Sequence, residues 1–268
     1  MNSVAEMLRR RSGIVAVVTA PIAFLLESVS IGLMRPCDIR QMVNRTYASR
    51  PDFYHPRRYK LPYEAQLMPH LVRLRDSGRM LDAFCGQGRE AELFAAAGYD
   101  ITAIDTLDWM IEAAIRYQSE IGFPANFQTH SFSSFTPSEP FDIVYTSCWM
   151  YSTLQGSAQR REFLGHCRRL CRDDGLAVLS YVSNRSGSKL AASMRFLVVR
   201  ATAWMTMGNR NSEPGERIYT GLFWHHLDDD SVRRETESAG WSIADAVKGN
   251  GMAPTFVILK PTGRESST

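Results

Sequence analysis

Cysteine is scarce in this chain and poorly placed for cross-linking. Its 268 residues hold five (Cys37, Cys85, Cys148, Cys167 and Cys171), an odd number without framework spacing. That excludes a disulfide-stapled scaffold and points to a reducing, cytoplasmic setting. Cys167 and Cys171 stand one helical turn apart beside His166 in GHCRRLC, but no second ligand cluster accompanies them, so no metal site is expected. Charge of one sign is equally short. Thirty-one Lys+Arg against 28 Asp+Glu leave a net charge of +3, too little by itself to argue for nucleic acid. No basic-aromatic platform for RNA is evident either. Long apolar runs are missing too: IVAVVTAPIAFLL (14–26) is thirteen residues, short of the ~20 that a spanning helix needs. Internal repeats and low-complexity tracts are also absent.

What is present fits one full α/β domain with elaborations. With 44% hydrophobic residues the chain can bury a sheet under helices on both faces without disulfide or metal support. Charge is distributed unevenly. Residues 1–60 hold ten Lys/Arg and four Asp/Glu, an excess of six, which leaves the remainder at −3. Such a basic arm suits an anionic membrane or an acidic partner, or is simply a solvated face. Arg9, Arg10 and Arg11 precede the apolar run in the manner of a signal peptide, yet no convincing cleavage site follows. Extending the run to Met34 as a membrane span would put Pro21 and Glu27 in lipid, at considerable cost. A helix packed on the domain, or one lying on a membrane surface, remains as the reading. If it is an anchor, removing residues 1–34 leaves the rest folded.

From residue 80 onward, short apolar runs alternate with amphipathic stretches, as in a parallel α/β sheet. Strands are expected at 79–84, 99–105, 126–131, 141–147, 176–182, 242–247 and 255–260, and helices at 88–97, 107–120, 157–171 and 229–239. KGNGMAP between the last two strands predicts an antiparallel pair. Outside this alternation fall a helix-like AQLMPHLVRLRDSG before the first strand and a long insert containing KLAASMRFLVVRATAWMTM, an apolar helix.

RMLDAFCGQGREAELFAAAGYDITAIDTLDWMIEAA (79–114) is the most informative stretch. It runs strand, glycine turn, helix, second strand, acid, helix. At Gly86 and Gly88 missing β-carbons let backbone approach a ligand. Asp105, seventeen residues after Gly88 at the end of the second strand, can accept both hydroxyl hydrogens of an adenosine ribose. GQGREA also satisfies G-x-G-x-x-G/A, so a nicotinamide dinucleotide must be weighed. Asp82 discriminates. A carboxylate there would repel a pyrophosphate at the turn but suits a ligand carrying a sulfonium and an ammonium group. The bland alternative keeps Asp105 as a strand end, Phe132 as core and the two glycines as plain turn residues.

LDAFCGQGRE resembles the first signature of class I S-adenosyl-L-methionine-dependent methyltransferases, often written LDxGCGxG. AIDTLDWMIEAA resembles their second signature, FDIVYTSCWMY that of the fourth strand, and LCRDDGLAVLSYV the helix–turn–strand written L-x-P-G-G. The likeness covers residues 60–182 well and 223–260 more loosely. It implies a three-layer Rossmann-like sandwich with a seven-stranded, mostly parallel sheet, an antiparallel final strand, a helical insert and an N-terminal helical extension. The implied organisation is an extension (1–60), a methyltransferase domain (61–260, with a lid-like insert at 188–222) and a flexible tail (261–268). The resemblance further implies that Asp82, Phe84, Cys85, Gly86 and Gly88 line the methionine half of the cofactor. Asp105 would hold the ribose, Thr106, Leu107 and Met110 the adenosine, Ser131 and Phe132 the adenine, and Ser147 the end of the fourth strand. Three positions depart from the family pattern. Phe84 replaces the first glycine, Ser131 stands where many members carry an aspartate, and Asp173-Asp174-Gly175 replaces the proline–glycine turn.

Methyl transfer from a sulfonium is an in-line displacement, so the protein mainly aligns the nucleophile, excludes water and removes a proton where needed; no metal is required. Tyr151, His225 and His226 are the candidate bases, with Tyr219 a fourth, each weighed against packing or capping roles. No N-P-P-[YFW] string follows strand four, which weighs against methylation of nucleic acid bases. The apolar insert and N-terminus favour a small hydrophobic or amphiphilic acceptor, with S-adenosyl-L-homocysteine as the co-product and peripheral membrane contact through residues 1–34 as an option. A cofactor-binding accessory subunit without catalysis, and a nicotinamide oxidoreductase, are the other classes to test.

Overall fold

The structure is a computed structural model and describes residues 14–50, 55–56, 62–146, 149–183, 189–249 and 253–263. Its elements run α1 (Ile14–Leu33), α2 (Pro36–Ala48), α3 (Pro62–Leu74), β1 (Gly78–Ala83), α4 (Arg89–Ala96), β2 (Tyr99–Asp105), α5 (Asp108–Ile121), β3 (Asn126–Thr129) and β4 (Phe141–Thr146). They continue with α6 (Gly156–Leu170), β5 (Cys171–Ser183), α7 (Lys189–Thr206), β6 (Glu216–Tyr219), β7 (Leu222–Leu227), α8 (Asp229–Ser238), β8 (Trp241–Val247) and β9 (Pro254–Pro261). The chain divides into two compact units: residues 1–50, 152–156 and 184–228 form one, and residues 51–151, 157–183 and 229–268 the other.

The larger unit holds the expected seven-stranded sheet. β3, β2, β1, β4 and β5 lie side by side in that order, all parallel. β9, the last strand of the chain, pairs antiparallel with β5, and β8 pairs antiparallel with β9. Consecutive residues of β1, Met80 through Ala83, are all buried, so both faces of the sheet are covered. Strands buried on both sides read as unbroken apolar runs. Leu67 and Leu71 of α3 and Phe94 of α4 join Met80, Ile101, Ile143, Val178 and Ile258 in one core. Arg172 to Gly175 bulge out of β5 opposite Asp142, where Arg75 binds both Asp142 and Asp174. The aspartates thus form the turn expected of them, inside a longer strand.

In the smaller unit, the N-terminal extension and the insert fold together. Ile31 and Ile39 pack with Val199, Ile218 and Phe223. A β-carbon on Gly32 of α1 would lie 2.7 Å from Thr202 of α7, so glycine sets the close approach of the two helices. Glu27 is buried, pairs with Arg195 and Arg217 at 2.8 Å each, and accepts the Ile218 N–H at 3.2 Å. The residue that made a membrane span too costly therefore holds α1 within this unit. Among the described residues, no helix is long and apolar enough to cross a membrane. The insert also carries a hairpin, β6–β7, whose turn at Thr220 (φ +55°) and Gly221 (φ +78°) is left-handed at both positions. Residues 264–268 of the expected tail lie outside the described residues.

Candidate active site

The carboxyl ends of β1 and β2 bring most of the expected cofactor residues together. Asp82 pairs in register with Ala103, two residues before Asp105. Each Asp105 carboxylate oxygen accepts a backbone N–H, one from Gly86 at 3.1 Å and one from Leu107 at 3.0 Å. Asp105 thereby ties the glycine turn to the start of α5. Burial raises its pKa, opposed by these backbone hydrogen bonds. A carboxylate has about four lone-pair sites, so acceptor capacity remains.

The two glycines serve different ends. At Gly86 (φ +53°) a β-carbon would meet, among the described residues, only the Met110 sulfur at 3.6 Å, so its bare face is open to them. At Gly88 (φ +81°) a β-carbon would strike Phe127 at 2.8 Å and crowd Ala114 at 3.2 Å. Gly88 is there so that α4 can pack. Phe84 adopts φ +62°, the left-handed conformation that the family's first glycine would take without strain. Its ring lies 5.4 Å from Phe132 and 6.3 Å from Phe163, contacts that hold it in place. Phe84→Ala loses the ring contacts and keeps the strain, and is expected to destabilise by about 1–2 kcal/mol. Phe84→Gly should be milder by about 1 kcal/mol. Urea titrations ranking glycine below alanine would refute the strain.

Asp82 is the most unusual group. It is fully buried, and among the described residues neither carboxylate oxygen has a hydrogen-bond partner. Burial first, then the negative Glu90, Asp105 and Glu64, push its pKa well above the usual carboxylate range, with Arg89 opposing. Glu64, Glu90 and Arg89 were not singled out from the sequence. Arg89 contacts both glutamates, and both are buried. Asp82 and these two glutamates thus gather their negative charge around the Arg89 guanidinium. Cys85 is buried beside them, and desolvation raises its thiol pKa well above the ordinary value.

The remaining positions diverge. Phe132 is buried in a 3-10 turn that begins where β3 was expected to continue, against Phe163 and His166 at 4.8 Å each. Ser131 is exposed, with its hydroxyl 3.1 Å from Ser133, and Thr106 is exposed. Leu107 caps α5, and Ser147 lies outside the described residues. Tyr151 is fully buried and donates to Glu235 at 2.7 Å; burial raises its phenol pKa well above normal, which makes the hydroxyl a poor base. His225 is buried in the smaller unit, with Nε2 2.8 Å from the Pro214 carbonyl. His226 has its pKa pushed down to about 4, chiefly by burial, and lies 3.3 Å from the Tyr219 hydroxyl. Cys167 and Cys171 are buried free thiols; burial pushes Cys171 up to about 12.

Comparison with known proteins points one way. The chain is 26% identical over 128 residues to a ubiquinone biosynthesis O-methyltransferase of Rickettsia conorii, covering 47% of this chain and 42% of the relative. A protein of the same name from Caulobacter sp. strain K31 is 29% identical over 115 residues, 42% of this chain and 44% of the relative. The chain therefore spans less than half the length of these curated relatives. In structure it resembles the 1,6-didemethyltoxoflavin-N1-methyltransferase of Burkholderia thailandensis, solved with bound 1,6-didemethyltoxoflavin and S-adenosylhomocysteine, at a TM-score of 0.59 and 16% identity over 86% of this chain and 92% of that one. This likeness shows the shared fold. A protein-family profile described as a methyltransferase domain matches residues 55–245. With well over half its length matched, the chain belongs to that family of methyltransferase domains.

Proposed function

We propose that the chain transfers the methyl group of S-adenosylmethionine to a hydroxyl group on a small apolar or amphiphilic acceptor. The observation that carries the cofactor assignment is Asp82, a buried carboxylate with no hydrogen-bond partner among the described residues, close to other carboxylates and beside an open glycine turn. A dinucleotide pyrophosphate would be repelled by that carboxylate, whereas a cationic cofactor suits it. The acceptor assignment draws on the hydroxyl chemistry in the names of the relatives from Rickettsia conorii and Caulobacter.

In this reading Asp82 faces the positive end of the cofactor, and the bare face of Gly86 allows backbone to approach it. Asp105 offers its spare lone pairs to the ribose hydroxyls while its other contacts keep the turn in shape. Leu107 and Met110 flank the adenosine, Phe84, Cys85, Gly88, Phe132 and Ser131 complete the wall and Thr106 lies at its rim. The sulfonium supplies a methyl group on a good leaving group. Alignment and exclusion of water then do most of the work.

Incubating the protein with methyl-labelled cofactor and panels of phenols, amines, quinones and lipid extracts tests the proposal. Products carrying a labelled methoxy carbon are expected; label only on nitrogen or ring carbon would overturn the acceptor class, and absence of S-adenosylhomocysteine binding the cofactor. Asp105→Ala is expected to weaken that binding by about 1.5–3 kcal/mol. It should also lower the melting temperature, because Gly86 and Leu107 lose their acceptor. Calorimetry finding unchanged affinity would remove Asp105 from the site.

A further inference from the structure

We propose that α7, together with α1, docks the smaller unit onto an anionic phospholipid surface. α7 is apolar on two sides. Val199, Thr202 and Ala203 are buried, while Leu190, Met194, Leu197, Trp204 and Met205 recur at helical spacing along the outer face. These are not half-covered side chains: Leu190 is 72% exposed, Leu197 67%, Trp204 78% and Met205 70%. α1 repeats the pattern with Ile22, Leu25 and Leu33 exposed, and Ala23, Ile31 and Glu27 buried. A helix with water on one side normally turns polar residues outward, so an apolar outer stripe marks an interaction surface.

Charge selects the occupant. Among the described residues this unit carries nine Lys/Arg and five Asp/Glu, an excess of four; the other unit carries fourteen and twenty, a deficit of six. Of those five acids, Glu27 is buried between Arg195 and Arg217, and Glu216 is buried against Asn209. Beside the stripe, Arg200, Ala203, Trp204 and Arg210 line an open notch. Arg200 and Arg210 are exposed, and Arg200 is fixed there by donating to the Arg210 carbonyl at 2.9 Å. Two guanidinium groups beside a tryptophan suit a phosphate headgroup at the level where indole rings settle in a bilayer. Because no described helix is long and apolar enough to cross, α7 lies along the surface with its outer stripe among the acyl chains. The inference is independent of which acceptor is methylated.

Co-sedimentation of the full chain with vesicles of phosphatidylcholine, alone or mixed with phosphatidylglycerol, tests it. Binding to the mixed vesicles is expected, about tenfold weaker on neutral ones and weakened by salt. Leu197→Glu with Trp204→Glu should cut binding at least tenfold, and Arg200→Ala with Arg210→Ala by roughly tenfold or more. Leu197→Met with Trp204→Phe should bind like the parent. Unchanged melting temperature and S-adenosylhomocysteine affinity in these variants would establish that docking alone was lost. A parent that stays in the supernatant, or acidic variants that bind as well as it does, would overturn the proposal. So would a self-association that Leu197→Glu dissolves in a protein indifferent to vesicles; the stripe would then be an interface between copies.

Discussion

Glu235→Gln is expected to lower the unfolding free energy by about 3–5 kcal/mol, the cost of leaving a buried charge without its partner. Arg160 and Glu235 are both buried, joined by bonds of 2.7–3.1 Å from Nε and the terminal guanidinium nitrogen, while Tyr151 donates to the same carboxylate. This cluster joins α6 to α8. Replacing the carboxylate with an amide keeps its shape, removes its charge and offers one oxygen where two were used. Arg160→Met combined with Glu235→Leu should recover most of the loss, since exchanging a whole buried ion pair for apolar groups is often neutral. Tyr151→Phe removes one hydrogen bond and is expected to cost about 1–2 kcal/mol, with methyl transfer changed little. Denaturant titrations of the three variants check the series. A single glutamine variant as stable as the parent would mean that water reaches Arg160.

The same cluster explains why the catalytic candidates were harder to read than the fold. Tyr151 has the chemistry of a base and follows the fourth strand, but its partner lies 84 residues further on, where no periodicity links the two. Strand positions and most helix ends were legible because each depends on local pattern: buried runs for strands, Asp108 in the first turn of α5, Gly122 with φ +85° at its end. Asp105 and Gly86 were legible through spacing. That Gly88 serves packing was not, because what stands in the way of its β-carbon is set by Phe127. The hairpin of β6 and β7 escaped notice because Thr220 occupies a turn position that asparagine or glycine usually announces. The partnership of the N-terminal helix with the insert depends on Glu27 meeting Arg217, 190 residues away. The exposed stripe of α7 was visible as apolar density, but only the structure separates its outer face from its buried one.

Asp82→Asn should change stability and cofactor affinity in opposite directions. In the free protein the Asp82 carboxyl holds its proton above the ordinary carboxylate range, because burial and the neighbouring glutamates and aspartate oppose its charge. A group whose pKa is raised by folding stabilises the protein below its unfolded pKa, and that contribution is lost as pH rises through the folded value. The free protein therefore weakens over this window, whereas Asp82→Asn, neutral throughout, stays level and should be more stable at its upper end by about 1–2 kcal/mol. Binding behaves in reverse. A cation beside Asp82 favours the ionised form, so S-adenosylmethionine affinity should climb with pH over the same window, by at most tenfold per unit. The asparagine variant offers no countercharge, and its affinity above the window should fall by about 2–4 kcal/mol, roughly thirty- to several-hundredfold. Titration calorimetry at several pH values, paired with thermal melts of the free proteins, reads both halves. A variant that loses stability and keeps its affinity would make Asp82 a structural residue. Gain of stability with loss of binding is what a group retained for its ligand produces, because its cost to the empty protein is offset only when the site is filled.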